Sequence, residues 1–380
     1  MRRTLYTEDH EAFRKTARTY FERECVPHRE EWEAAGVVDR AAWRAAGEAG
    51  LIGWAAPPEY GGLGVRDFRY NAVVSEEMAA TGATGVGLPL ANDVLVPYLV
   101  DLTDDAQKAR WLPGFVRGEL VAALAMSEPG AGSDVRAIVT TARREGDEYV
   151  IDGTKTFISN GVLADLVVVA CKTDPAAGHK GISLVVVEDG TPGFSRGRHL
   201  DKIGQRAFDT AELVFDGVRV PVANRLGPEN RGFYLMMANL PSERLGIAVA
   251  AIASAWRALT TTRRYATDRE AFGQPIGSFQ VNRHALAEMR TELDVAQVYL
   301  DRCVQAVVDG ELTAVEAAEA KWWATELAWR VIDRCLQLHG GYGYIREYEI
   351  ARLFEDARVQ RLYGGTTEIM KDIIGRDMGF

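Results

Sequence analysis

Tyr149-Val150-Ile151-Asp152-Gly153-Thr154-Lys155-Thr156-Phe157-Ile158 is a β-branched and aromatic run in the middle of a chain that otherwise reads as helix. Such side chains suit the pleated, half-buried surface of a sheet. Asp152-Gly153 matches the twist of a two-residue hairpin, so the stretch reads as two strands joined at that pair. Val167-Val168-Val169, Ile182 through Val187 and Ala211 through Phe215 continue the same character. Residues 122–231 are therefore expected to form a β domain.

On the N-terminal side, residues 1–121 read as helical. Phe13, Ala17 and Phe21 recur at four-residue steps, the spacing of one buried helix face. Asp39 precedes Ala41-Ala42-Trp43 as a cap, and Pro57-Pro58-Glu59-Tyr60-Gly61-Gly62 interrupts the pattern. On the C-terminal side, residues 232–380 return to a helical period. Leu286, Met289, Leu293, Ala296, Leu300, Val304 and Val307 are spaced by threes and fours and end at Gly310. Thr313 to Glu316 reads as a capping box opening the next helix, which runs through Leu327, Val331 and Leu338 to Gly340-Gly341. Grouped strands between two helical regions indicate an α+β chain of three domains and argue against a doubly wound parallel sheet.

At 380 residues the chain is long enough for two or three domains. Lys plus Arg total 44 against 54 Asp plus Glu, and a net charge of -10 opposes general attraction to nucleic acid or anionic lipid. No membrane span is expected. The start Met1-Arg2-Arg3-Thr4 is basic, but Glu8, Asp9 and Glu11 follow at once, with no apolar signal core, so a cytoplasmic location is expected. Cys25, Cys171, Cys303 and Cys335 are far apart and form no Cys-x-x-Cys, and the six histidines show no metal-binding spacing. No metal is expected.

Two features carry chemistry. Ala125-Met126-Ser127-Glu128-Pro129-Gly130-Ala131-Gly132-Ser133-Asp134 is a compact loop whose glycines let backbone N–H groups approach a flat or anionic ligand. It is neither a Walker loop nor a dinucleotide fingerprint. In the second, Met236, Leu240, Glu243 and Ile247 fall at steps of four, three and four on one helix face, so Glu243 shares its surroundings with apolar side chains. Desolvation raises the proton affinity of such a carboxylate toward what a general base needs near neutral pH. An ion pair with Arg244 is an equally good reading of these residues alone. Pro241 is expected to kink the helix nearby.

Over residues 5 to 376 the chain resembles the acyl-CoA dehydrogenases. Ala125 to Ala137 matches the family's first signature, and Gln337-Leu338-His339-Gly340-Gly341-Tyr342-Gly343-Tyr344, continuing through Glu347 and Arg352 to Asp356, matches the second. Asp209 to Leu213, Gly232-Phe233-Tyr234, Arg269 to Gly273 and Tyr363-Gly364-Gly365-Thr366 are similar as well. The resemblance implies an N-terminal helical domain, a middle β-barrel or sandwich, and a C-terminal four-helix bundle. It also implies FAD held between the β domain and the C-terminal helices.

By that resemblance Met126, Ser127, Gly132, Ser133, Phe157 and Ser159 contact the flavin, with Phe157 where many members carry tryptophan. Arg269, Phe272, Gln280, Gln337 and Gly341 match positions that grip the adenosine and pyrophosphate of FAD bound mainly by a neighbouring subunit, which makes a homo-oligomer, by family expectation a tetramer, part of the cofactor site. Thr366 and Glu368 match flavin-contacting positions, while Ser133, Arg244 and Tyr363 fall at the substrate. The family's usual catalytic base directly follows the tyrosine, where this chain has Gly364. A subgroup resembling the long-chain and isovaleryl-CoA dehydrogenases takes its base from a Glu-Arg pair, and Ser242-Glu243-Arg244-Leu245 supplies one. The implied reaction is α,β-dehydrogenation of an acyl-CoA thioester to the trans-2-enoyl-CoA, with Glu243 as base, the Gly364 N–H polarising the thioester oxygen, and electrons passed to an electron-transferring flavoprotein. The alternatives are a flavin oxidase or monooxygenase, a dehydrogenase of carrier-protein thioesters, and a non-catalytic assembly subunit.

Overall fold

The computed structural model describes residues 3–83 and 85–380. Met1 and Arg2, half of the basic start noted above, lie outside them. The first region holds α1 (Glu8–Tyr20), α2 (Arg29–Ala35), α3 (Arg40–Glu48), α4 (Phe68–Thr81), α5 (Val96–Asp101) and α6 (Asp105–Val116). Asp39 caps α3 by accepting from the Ala41 amide at 2.9 Å, as its position in sequence indicates. Wide π-helical turns follow α1 at Phe21–Cys25 and precede α5 at Leu90–Leu95.

The middle region contributes β1 (Ala122–Ala125), β2 (Thr141–Glu145), β3 (Glu148–Ser159), β4 (Leu166–Lys172), β5 (Ile182–Glu188), β6 (Phe194–His199), β7 (Thr210–Pro221) and β8 (Arg225–Leu226). They form one hydrogen-bonded sheet in the order β6-β7-β3-β2-β4-β5-β8, with β1 paired parallel to β4. The run of valines in β4 is buried on both faces. Leu166, Val168 and Ala170 join the core shared with the N-terminal helices. Val167, Val169 and Cys171 face a second core within the sheet region. A strand covered on both sides loses the alternation of a half-exposed one and reads as a continuous apolar run.

Asp152-Gly153 does not form the expected hairpin turn. The β2–β3 turn is Gly146-Asp147, with Glu145 opposite Glu148, and β3 passes straight through Asp152-Gly153. Gly153 instead marks a bulge against β7, between the Ile151 and Gly153 pairings. It is glycine because a Cβ there would lie 2.3 Å from Thr140 Oγ1.

The last region contains α7 (Gly232–Asp268), the short strands β9 (Glu270–Ala271) and β10 (Gln274–Pro275), α8 (Gln280–Val308), α9 (Ala314–His339), α10 (Glu349–Ala357) and α11 (Thr367–Asp377). The capping box at Thr313 and Glu316 is present. Helix α7 continues unbroken through Pro241. By length and composition α7 could cross a bilayer, with a best window of mean hydropathy 1.3, yet 56% of that window is buried. It is the central helix of a bundle whose core joins Leu245, Ala248, Val249 and Ile252 to Met289 and Leu293 of α8 and to Leu327 and Val331 of α9. Phe68 and Ala72 of α4 enter the same core, which fixes the first region against α7.

Candidate active site

Glu243 is 7% exposed on α7, and its Oε1 is buried with no hydrogen-bond partner among the described residues. Burial pushes its carboxyl up to about 8, with Arg244 and the Tyr98 hydroxyl drawing it down and Asp93 pushing it further up. The helical spacing in the sequence thus reads the environment correctly. Met236 is buried on the same face, and Leu240 and Ile247 are half-buried.

Arg244 turns away from Glu243 toward the loop that precedes α11. Its Nε donates to the Gly364 carbonyl at 3.1 Å, and the buried ammonium of Lys321 on α9 donates to the next carbonyl, that of Gly365, at 2.6 Å. Two cations therefore fix consecutive carbonyls of one short loop. Burial, helped by Arg244, lowers the Lys321 ammonium to about 8. Gly364 has φ +64, and a Cβ on it would meet Ile247 Cδ1 at 2.5 Å. The space a side chain at 364 would need is filled from α7, one turn beyond Glu243. Tyr363 is partly exposed beside it; Thr366 caps α11, and Glu368 lies exposed in the first turn of that helix.

A second cluster lies on the sheet. Met126 and Ser127 are half-buried, whereas Gly132 and Ser133 are exposed. The loop is anchored from beneath: Thr156 N donates to the Ser127 carbonyl at 3.0 Å, and buried Lys155 donates to the Met126 carbonyl at 3.0 Å and to Glu128 at 2.8 Å. Glu128 also accepts from the Val139 and Thr140 amides at 2.6 and 3.0 Å. Burial works against its charge, and these partners outweigh burial to hold the carboxyl below its ordinary value. Breaking such a buried pair by removing one member costs about 3–5 kcal/mol.

Phe157 projects from this platform. It is 71% exposed and has φ +58, at the bulge between the Lys155 and Ile158 pairings. A bulky residue in left-handed backbone is strained, and strain of this kind collects at ligand sites. Ser159, half-buried, ends the same strand opposite Thr210. Arg136, at the end of the loop, stands 5.7 Å from the ring centroid of Phe233 in the first turn of α7, so the platform abuts the helix that carries Glu243.

Arg269, Gln337 and Gly341 line one groove of about 530 Å³ with Tyr265, Asn282 and Tyr342. The Arg269 guanidinium lies 5.4 Å from the Tyr342 ring centroid, and no atom lies within 4 Å of where a Gly341 Cβ would be. Gln280 is exposed at the start of α8. Phe272 occupies the tip of the β9–β10 turn with φ +54 and is 96% exposed. An aromatic ring so displayed on strained backbone fits burial by a second subunit.

An exposed ring beside an open glycine loop suits a flat cofactor, and an arginine-lined groove suits its phosphates. The residues present thus fit a flavin dinucleotide. The resemblance did not single out Asp93, Tyr98, Ile247 or Lys321. Asp93 and Lys321 carry a local signal all the same, as an acid inside the apolar run Val86 to Val100 and a lysine among Ala317, Ala318, Ala320 and Ala324.

Three family patterns match in chain order: acyl-CoA dehydrogenase N-terminal domain over residues 7–119, middle domain over 123–218 and C-terminal domain over 230–379. The long-chain specific acyl-CoA dehydrogenase, mitochondrial, of Sus scrofa is 43% identical over 378 residues, covering 99% of this chain and 88% of the relative. The crystal structure of an acyl-CoA dehydrogenase from Geobacillus kaustophilus superposes with a TM-score of 0.96 at 46% identity, covering 99% of each chain. A glutaryl-CoA dehydrogenase from Mycobacterium smegmatis, solved in complex with FADH2, gives a TM-score of 0.90 at 26% identity over 99% of this chain and 95% of its own.

Proposed function

The chain belongs to the acyl-CoA dehydrogenase family, and from that premise we propose that it is an FAD-dependent enzyme that introduces a trans double bond between Cα and Cβ of an acyl-CoA, with Glu243 as the base. One observation carries the assignment of the base. Glu243 is buried, its Oε1 has no hydrogen-bond partner among the described residues, and burial raises its carboxyl to about 8. A carboxyl spent on a structural ion pair with Arg244 would have that guanidinium on its oxygens, whereas Arg244 donates to the Gly364 carbonyl instead.

Glu243 removes the α-proton. The Gly364 N–H, in a loop fixed by Arg244 and Lys321, is the donor for the thioester oxygen, and a preset donor at a developing enolate lowers the barrier without reorganisation. FAD, held by Met126, Ser127, Phe157 and Ser159 on the sheet, with Gly132, Ser133, Thr366 and Glu368 at its margins, would accept the β-hydrogen as hydride. Arg269, Phe272, Gln280, Gln337 and Gly341 would grip the pyrophosphate and adenosine of FAD bound mainly by a neighbouring subunit, so the working unit is a homo-oligomer. Ser133, Arg244 and Tyr363 would border the acyl-CoA. An electron-transferring flavoprotein is the proposed acceptor, and longer or branched acyl chains are the proposed substrates.

The test is anaerobic mixing of the yellow holoenzyme with a ladder of acyl-CoAs, following loss of the visible flavin band. Bleaching by wild type that is about two to four orders of magnitude slower in Glu243→Gln, with flavin content unchanged, is expected. Failure of every acyl-CoA to bleach the flavin, or a full rate in Glu243→Gln, refutes the reading.

A further inference from the structure

One buried acid next to the base has no role in the chemistry above. Asp93 lies in the π-helical turn Leu90–Leu95 and is 6% exposed. Its Oδ1 accepts from Asn71 Nδ2 of α4 at 2.8 Å. Its Oδ2 lies against Gly246, so closely that a Cβ there would be 2.2 Å from it. Gly246 is three residues beyond Glu243 and on the same face of α7. Only glycine admits a carboxylate that near the helix backbone. Wide turns of this kind recur at functional sites, and an acid buried in apolar surroundings with one neutral donor costs stability.

Resting on the reading of Glu243 as base, we propose that Asp93 is a positioning residue that acts through Glu243, the two carboxyls forming a coupled pair that carries one negative charge between them around neutrality. Two acids in one water-poor space cannot both ionise cheaply, and their protons leave in steps that belong to the pair. The surroundings do not dissolve that coupling. Arg244, on α7 itself, is the cation that lowers Glu243 among the described residues, and its Nε is engaged with the Gly364 carbonyl. Tyr98 of α5 offers a neutral hydroxyl and Asn71 of α4 a neutral amide, while Lys321 of α9 is engaged with the Gly365 carbonyl. Burial pushes Asp93 up to about 7, next to the value of about 8 for Glu243, so both titrate in one window.

Asp93→Asn keeps the shape and the acceptor for Asn71 but removes the charge. In the flavin-loaded enzyme the pH limb that reports the base should move about one unit or more toward acid. Independently of activity, the dependence of the melting temperature on pH between about 5 and 8 should flatten. Asp93→Ala, which cannot collide with Gly246, should give the same two shifts. A purely structural Asp93 would lower the melting temperature evenly at all pH values and leave the limb in place, and that result in either variant overturns the proposal. If neither variant folds, wild type decides: a melting temperature that does not fall over this range overturns it as well. Full activity in Glu243→Gln brings down the base assignment, whereas an inactive Glu243→Gln beside an unmoved limb in the Asp93 variants brings down the coupling alone.

Discussion

Arg244 donates from Nε to the carbonyl oxygen of Gly364 at 3.1 Å, tying the turn of α7 that carries Glu243 to the loop that presents the Gly364 amide. The proposed base and the proposed thioester donor are thus tied together by one side chain. A shift of α7 along its axis would displace both together.

Arg244→Met should move the rate limb of the base toward alkaline pH, opposite in sign to Asp93→Asn, because the cation that holds Glu243 down is lost. Loss of a charge-assisted hydrogen bond should also cost about 1.5–3 kcal/mol of stability. Stopped-flow pH profiles and denaturant melts read the two effects separately. An acid-ward limb would show that Arg244 does not stabilise the ionised base.

Restoring a carboxylate at the other family position tests whether both sites reach the same α-carbon. In Glu243→Gln combined with Gly364→Glu, partial recovery of bleaching is expected. It should improve when Ile247→Ala is added, because the Ile247 δ-methyl stands 2.5 Å from the new Cβ. The left-handed backbone at 364, φ +64, keeps the recovered rate below wild type. No gain from Ile247→Ala would mean that this methyl is not what limits the rescue.

Arg269→Ala should loosen FAD retention and the oligomer together, since one guanidinium serves the groove and, by proposal, the neighbouring subunit's cofactor. Gel filtration and flavin content are the paired measurements. An unchanged flavin content with an unchanged elution volume would remove Arg269 from the cofactor site.

Stability should fall as pH rises from about 5 to 8. Glu243 and Asp93 are both raised in the folded state, from 4.5 to about 8 and from 3.8 to about 7, so these two groups hold more protons folded than unfolded across that window, while His339, lowered by burial, acts in the opposite sense. The contribution of the two acids is complete below the unfolded values and is lost as pH climbs through the folded ones. Above about pH 8 Lys321 acts in the opposite sense, because its folded value is depressed and the unfolded chain then binds the extra proton. Melting temperatures of wild type, Asp93→Asn and Glu243→Gln measured side by side check this, the two variants being flatter than wild type.

The sequence disclosed whatever depends on local period. Met236, Leu240, Glu243 and Ile247 share a face because a helix repeats every few residues, and Thr313 with Glu316 announces a helix start through its own side chains. Gly153 misled because a glycine beside an aspartate looks the same whether the backbone turns or a neighbouring strand crowds it, and the crowding atom belongs to Thr140. Asp93 became meaningful only through Gly246, a contact between distant segments that no window of sequence contains. Lys321 likewise acquires its partner from the loop that follows the next helix, α10.

The two-faced burial of β4 bears on how the molecule can be divided. Leu166, Val168 and Ala170, with Ile182, Leu184 and Val186 of β5, complete a core whose other half is contributed by the N-terminal helices. Residues 122–231 released on their own would expose that face as a contiguous apolar surface, an invitation to self-association. The three segments recognisable as sequence patterns are therefore not three autonomous folding units. A protease cut between residues 117 and 121 should leave the pieces joined under native conditions, and an attempt to exchange the middle segment with that of a relative has to carry the matching surfaces of Trp111, Leu112 and Phe115 along with it.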